Sequence, residues 1–329
     1  MRLYHKKEPN IFQLQLNFSY YEMFTPIIGK GDFVAVAGIT TKRQTPINPK
    51  IGKVVFMFGG STTVGVESNE KTIASHLALI SQKSRQPLIV ENYGVGSFRS
   101  SEELMKLIKL LRAGFKPNYV IFYDGYNDTE FAIRKQTRYD FLSPVQDVFK
   151  STVSVAYFEK VLRQFEVYKL MDYLPLLQSI VRNIFYRLVN RNGEFDSSDG
   201  IDNIELKDFD DIKKYCVDNY YQNIKMVKAL GKEYNFVPIF VLQPMIYFKK
   251  HLSSTEESIM KNLPDEYKDL TPKLYKAIVE RMLNINNFYT ITDVFDGHLG
   301  TIFMDQGHIL SNGNRVVAKK LFEIISDVR

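Results

Sequence analysis

Phe56-Met57-Phe58-Gly59-Gly60-Ser61-Thr62-Thr63-Val64-Gly65 is the stretch on which the fold turns. The apolar run at 54–58 is β-branched and aromatic and stops at two glycines, so it reads as a buried strand. A helical pattern follows at about 70–82. Ser61 is therefore expected on a strand-to-helix turn, at the C-terminal edge of a parallel sheet, where open α/β sheets carry their chemistry. Gly59 and Gly60 permit a sharp turn and leave the serine uncrowded. The first amides of a following helix favour negative charge at that point. Read alone, Gly-Gly-Ser-Thr-Thr is an ordinary loop with a helix cap. As a phosphate-binding turn it lacks the lysine of the Gly-Lys-Ser/Thr pattern.

Outward from this stretch, strands and helices alternate. Strands are expected at 88–91, 119–123, 237–242 and 288–293. Helices are expected at 101–111, 218–234, 254–283 with a break near Leu263-Pro264, and 313–326. This rhythm predicts a parallel sheet covered on both faces. Residues 1–50 read as a β-rich segment packed on the core, with 33–41 as a strand beside the main sheet or at the rim of the site. Residues 51–329 read as one domain, and its rhythm breaks at about 133–215. There, 145–189 reads as helices with apolar faces and 190–211 as a polar, mobile loop. The insertion either lies over the active edge as a lid or packs on the sheet.

Composition sets bounds on the function. The 329 residues suffice for a sizeable core, and 45% hydrophobic with 24% charged residues is ordinary for a soluble chain. The net charge of +6 comes from lysines scattered along the chain, which reads as a solvated surface and not as a nucleic-acid footprint. Cys216 is the single cysteine, so neither an internal disulfide nor a cysteine metal cluster is expected. No run reaches transmembrane length, and no apolar signal core follows the first residues. The compartment, cytoplasm or periplasm and envelope, stays open, as does the oligomeric state. Asp293, Asp296, His298 and Asp305 match no familiar metal spacing, and no metal is expected.

Polar residues follow four of the expected strands. Ser61 follows the first. Gly94, Gly96 and Ser97 follow the second, Asn127 and Asp128 the third, and Asp305 and His308 the last. A serine hydrolase needs this set of parts: a nucleophile, a base, a carboxylate that orients the base, and donors for an oxyanion. In order, the blocks are Gly60-Ser61-Thr62, Asn92-Tyr93-Gly94-Val95-Gly96-Ser97, Gly125-Tyr126-Asn127-Asp128 and Asp305-Gln306-Gly307-His308. They resemble those of the SGNH (GDSL-type) hydrolases, in a Gly-Gly-Ser-Thr variant. The resemblance spans residues 54–320 and leaves the insertion uncovered.

The resemblance implies a flavodoxin-like three-layer α/β/α sandwich with strand order 2-1-3-4-5. It implies Ser61 as nucleophile, His308 as general base and then acid, and Asp305 as the carboxylate that orients it. The oxyanion donors would be the Ser61 N–H, the Asn127 amide and a backbone N–H of the second block. The family pattern places a glycine at position 97, where this chain has serine, so the donor is open between Gly96 and Ser97. Asp124, Tyr126 and Gln243, near the same edge, are candidate substrate contacts, with Asp124 alternatively only shaping the turn and Gln243 only ending its strand. The expected function is a serine esterase for small acyl groups, O-acetyl on a carbohydrate, with no cofactor. An O-acyltransferase with the same triad, a long-chain lipase or thioesterase, and a non-catalytic glycan- or partner-binding protein remain open.

Overall fold

A computed structural model describes residues 16–19, 23–26, 32–134 and 208–328. Strands β1 (Leu16–Ser19) and β2 (Met23–Pro26) pair antiparallel as a separate two-stranded sheet. β3 (Phe33–Val36) and β4 (Thr40–Arg43) form a hairpin. The single strand expected at 33–41 is thus two. Ala37 and Gly38, at φ 50° and 71°, reverse the chain between them. Successive left-handed residues turn a hairpin with the twist its strands need. The hairpin extends the main sheet through the pairing of Arg43 with Asn92, so it forms the sheet edge.

β5 (Lys53–Gly59) leads into one helical turn, α1 (Ser61–Val64), and then α2 (Ile73–Ser81). β6 (Leu88–Asn92), α3 (Ser100–Arg112), β7 (Tyr119–Asp124) and α4 (Tyr126–Ile133) follow. Beyond residue 207 come α5 (Phe209–Tyr234), β8 (Val237–Leu242), α6 (Ser254–Asn262), α7 (Asp265–Met282), β9 (Phe288–Thr290) and α8 (Ser311–Asp327). The main sheet runs β3-β4-β6-β5-β7-β8-β9. Its strands from β6 to β9 are parallel. Their order, 2-1-3-4-5, is the flavodoxin-like doubly wound arrangement. The sheet as a whole is mixed, because the added hairpin is antiparallel.

Strand alternation sorts the core into two layers. Val55, Met57, Ile121, Tyr123, Ile239 and Val241 share one buried cluster with Ile73 and Leu77 of α2 and Val317 and Leu321 of α8. Phe56, Phe58, Phe122 and Phe240 take the opposite face, where ring centroids of Phe58 and Phe122 lie 5.3 Å apart and Phe58 stacks on Tyr93 at 5.5 Å. Lys106 of α3 sits over the Tyr93 ring, which places α3 on this aromatic side.

The chain divides into two units, residues 135–207 and the remainder. The expected helices at 145–189, the lid and most of the loop at 190–211 lie outside the described residues. The end of that loop and the expected start of the next helix are corrected: α5 begins at Phe209, not near Asp218. The Asp208 carboxylate caps it by accepting from the Asp211 N–H at 3.0 Å. The acidic residues that read as loop are those a helix N-terminus favours. No described helix is long and apolar enough to cross a membrane.

Candidate active site

β5 ends at Gly59, and Gly60 caps the turn that opens with Ser61. The Thr63 and Val64 N–H groups both donate to the Gly60 carbonyl at 3.1 Å, which fixes Ser61 at the first position of α1. The half-buried Ser61 presents Oγ 2.7 Å from His308 Nε2. His308 Nδ1 lies 2.6 Å from Asp305 Oδ2. Asp305 Oδ1 also accepts from the N–H groups of Gly307 at 2.9 Å and His308 at 2.7 Å. The Asp-x-x-His spacing works because the aspartate caps its own turn while holding the imidazole at its end. Burial pushes the Asp305 carboxyl up; the hydrogen bond and charge of His308 and the two backbone donors outweigh it and hold the carboxyl below its usual range. An ionised Asp305 accepts the Nδ1 proton and leaves the Nε2 lone pair facing the serine hydroxyl.

Asn127 stands in the first turn of α4 and is 9% exposed. Its Nδ2 donates to the Phe98 carbonyl at 2.6 Å, which straps the second block to α4. A Cβ at position 60 would lie only 2.2 Å from this Nδ2 and 3.3 Å from the Phe98 oxygen. Gly60 therefore lets the amide and the second block close against the Ser61 turn. Ser100 Oγ donates to Asp128 Oδ1 at 2.6 Å and reinforces the strap.

Residues 95–98 form a turn closed by Phe98 N–H on the Val95 carbonyl at 3.2 Å. Ser97 adopts φ 64° and is exposed. The left-handed conformation that favours glycine is thus kept at position 97 by a serine, at a cost of order 1 kcal/mol. A Cβ at Gly96 would meet no atom beyond its chain neighbours within 4 Å. Among the described residues, the N–H groups of Ser61, Gly96 and Ser97 meet no backbone acceptor.

Two of the three candidate substrate contacts are turned inward. Asp124 is 4% exposed, beside the fully buried Glu103 of α3 and beside Asp128. It shares the face of Phe122, two residues before it, and so faces the helix layer. Gln243 is 2% exposed, and its Oε1 accepts from Thr62 Oγ1, in the Ser61 turn, at 3.2 Å. Neither side chain is open to a substrate. Tyr126 is half-buried and stands edge-on to the His308 ring, centroids 6.1 Å apart. Burial pushes its phenol up, so it stays neutral.

Burial and the repulsion of neighbouring carboxylates raise both Glu103 and Asp124 well above the usual range. A carboxyl raised on folding contributes stability that is present below its unfolded pKa and is lost as pH rises through the folded value. Glu103→Gln keeps the shape and removes the titration. Its Tm is expected to exceed wild type at about pH 8 by roughly 2–4 °C, equivalent to about 1 kcal/mol in a domain of this size. At about pH 4 the gain is expected to vanish. Thermal melts at the two pH values check this, and an equal shift at both contradicts it.

Several residues that brace the site gave no sequence signal. Arg43 is 2% exposed, and its guanidinium donates to the carbonyls of Gly65 at 2.7 Å, Val64 and Glu67 and to Asn69 Oδ1 at 2.8 Å. It clamps the chain leaving α1. Gln306 Nε2 donates to Tyr126 Oη at 2.9 Å and its Oε1 accepts from Tyr247 Oη at 2.8 Å, which ties the His308 loop to α4. Among the described residues no group of three or more His, Cys, Asp and Glu is placed to hold a metal, and Asp296 pairs with Lys250 at 2.5 Å.

No family model and no curated protein matches this chain. Solved structures with a similar fold include the acetyl xylan esterase AlAXEase, 14% identical over 83% of this chain and 99% of that one, with a TM-score of 0.43. An acetyl xylan esterase from Geobacillus stearothermophilus is 14% identical over 84% of this chain and 97% of its own, with a TM-score of 0.43. A member of the lipolytic G-D-S-L family from Veillonella parvula is 13% identical over 83% and 98%, with a TM-score of 0.42. At these values the likeness assigns no role to any residue here.

Proposed function

We propose that the chain is a serine esterase of the SGNH type that removes small acyl groups, with O-acetyl on a carbohydrate as the substrate class. The observation that carries this reading is the line from Ser61 Oγ to His308 Nε2 at 2.7 Å and from His308 Nδ1 to Asp305 Oδ2 at 2.6 Å. Ser61 Oγ attacks the ester carbonyl as His308 Nε2 takes its proton. The oxyanion is stabilised by the Ser61 N–H, the second N–H of the Asn127 amide and a backbone N–H at Gly96 or Ser97. As the tetrahedral adduct collapses, the alcohol leaves with the proton from His308, and Ser61 holds the acyl group as an ester. Water, deprotonated by His308, attacks that ester; the acid is released as His308 returns the proton to Ser61 Oγ. Asp305 stays ionised and stabilises the imidazolium in both halves.

The test is hydrolysis of p-nitrophenyl esters from acetyl to octanoyl, with and without a sugar acceptor. The expected kcat/KM falls about 10-fold or more along the series, since a small site gains nothing from added methylenes. A rate that rises with chain length contradicts the small-acyl reading. Acyl sugar formed in place of free acid shows a transferase using the same three residues.

A further inference from the structure

The loop that carries Asp305 and His308 is held from beneath by one carboxylate. Phe303 and Ile309 pair as an isolated antiparallel bridge. Met304 N–H donates to the His308 carbonyl at 3.0 Å, and Leu310 N–H to the Ile302 carbonyl at 2.9 Å. These bonds frame residues 304–308. Against this frame lies Glu256 of α6, fully buried. Its Oε1 accepts from the N–H groups of Ile302 at 2.9 Å and Phe303 at 3.0 Å. Its Oε2 accepts from Ser253 N–H at 2.8 Å and from Lys249 Nζ at 2.5 Å. The Lys249 side chain, also fully buried, donates to the Gly300 carbonyl at 2.8 Å, and the Ser253 and Thr301 hydroxyls meet at 2.8 Å. Thr301, Ile302 and Phe303 are thereby fastened to the start of α6, and Gly300 to Lys249, which pairs with Glu256.

Helix capping explains only Oε2, which closes a capping box with Ser253. A buried ion pair is in itself a poor source of net stability. Neither explains why Oε1 holds two amides of a segment 46 and 47 residues away, next to Asp305. We infer that Glu256 is a positioning residue for the Asp305–His308 pair and acts through the Ile302 and Phe303 N–H groups. The inference rests on the reading of Asp305 and His308 as members of the triad. Two amides pinned to a carboxylate fix one strand of the frame, and the frame fixes the distance from the carboxylate of Asp305 to the imidazole. Catalytic geometry is sensitive to displacements of an ångström or less.

Glu256→Asp tests this. The shorter side chain keeps the charge beside Lys249 and withdraws from the two amides. The expected result is a kcat lower by roughly 10- to 100-fold, with KM within about threefold. The far-downfield NMR signal of the His308 Nδ1–H proton is expected to broaden or move upfield. Val227→Ala, a core change on α5 away from the loop, is the control: it lowers Tm and leaves kcat and that signal as in wild type. If Glu256→Asp lowers Tm but keeps wild-type kcat and an unchanged proton signal, the carboxylate is a structural anchor only and the inference fails. If Glu256→Asp does not fold, Ser253→Ala, which loosens the box that aims Glu256, is read the same way. Its expected loss in kcat is about two- to fivefold, and unchanged kcat overturns the inference. Absence of any turnover in the wild type would count against the esterase reading, whereas the proton signal and its response to Glu256→Asp judge the anchor by themselves.

Discussion

Ser61→Ala is expected to abolish acyl-enzyme formation and lower kcat by about 10⁴-fold or more, with the fold and Tm nearly unchanged. Removing the hydroxyl deletes the Oγ that lies 2.7 Å from His308 Nε2. The remaining parts, the oxyanion donors and the imidazole, still bind a carbonyl and orient a water, and a small residual rate survives on that basis. Ser61 is half-buried on a one-turn helix whose other residues are buried, so its loss leaves no large cavity. Stopped-flow measurement of the product burst with p-nitrophenyl acetate checks the result. A burst of wild-type size in Ser61→Ala would remove Ser61 from the chemistry.

Asn127→Ala is expected to lower kcat by roughly 10²–10³, the usual cost of one oxyanion donor. The effect falls on kcat and leaves KM nearly unchanged, because the oxyanion exists only beyond the ground state. A second consequence follows from the Phe98 carbonyl, which loses the 2.6 Å bond from Asn127 Nδ2. The turn at 95–98 is then held to α4 by the Ser100–Asp128 contact alone among these two straps. The loss is therefore expected at the upper end of the range. Steady-state kinetics on acetyl esters decide it. A tenfold rise in KM with kcat intact would place Asn127 in substrate binding.

What the sequence disclosed and what it hid follow from locality. Strand ends and the residues just after them were legible, since β5 to β9 each join apolar runs to turn residues and parallel strands bring those ends to one edge. Ser61, Asn127, Asp305 and His308 are the candidates this reading offers, and the structure sets Ser61 beside His308 and His308 beside Asp305. For Asp124 the sequence leaves open a place in the site or a part in shaping the turn, and its parity with Phe122 favours the second: two residues apart on a strand share a face, and that face packs on helices. Position 97 shows a different limit. A serine there departs from the resembled pattern and leaves the donor open between 96 and 97, and the backbone at 97 holds a left-handed φ of 64°. Long-range polar contacts left no trace. Arg43 reaches carbonyls of residues 64, 65 and 67, and carbonyls carry no sequence identity. The partners of Glu256, two backbone amides at 302 and 303, carry no sequence identity either.

Labelling with a fluorophosphonate serine-hydrolase probe, wild type beside Ser61→Ala and His308→Ala, tests the triad most directly. The expected result is stoichiometric labelling of wild type at Ser61, none of Ser61→Ala and at least about 10³-fold slower labelling of His308→Ala, because the serine is inert without its base. A folded wild type that is not labelled, or that is labelled equally well without His308, would contradict the assignment of Ser61 as an activated nucleophile.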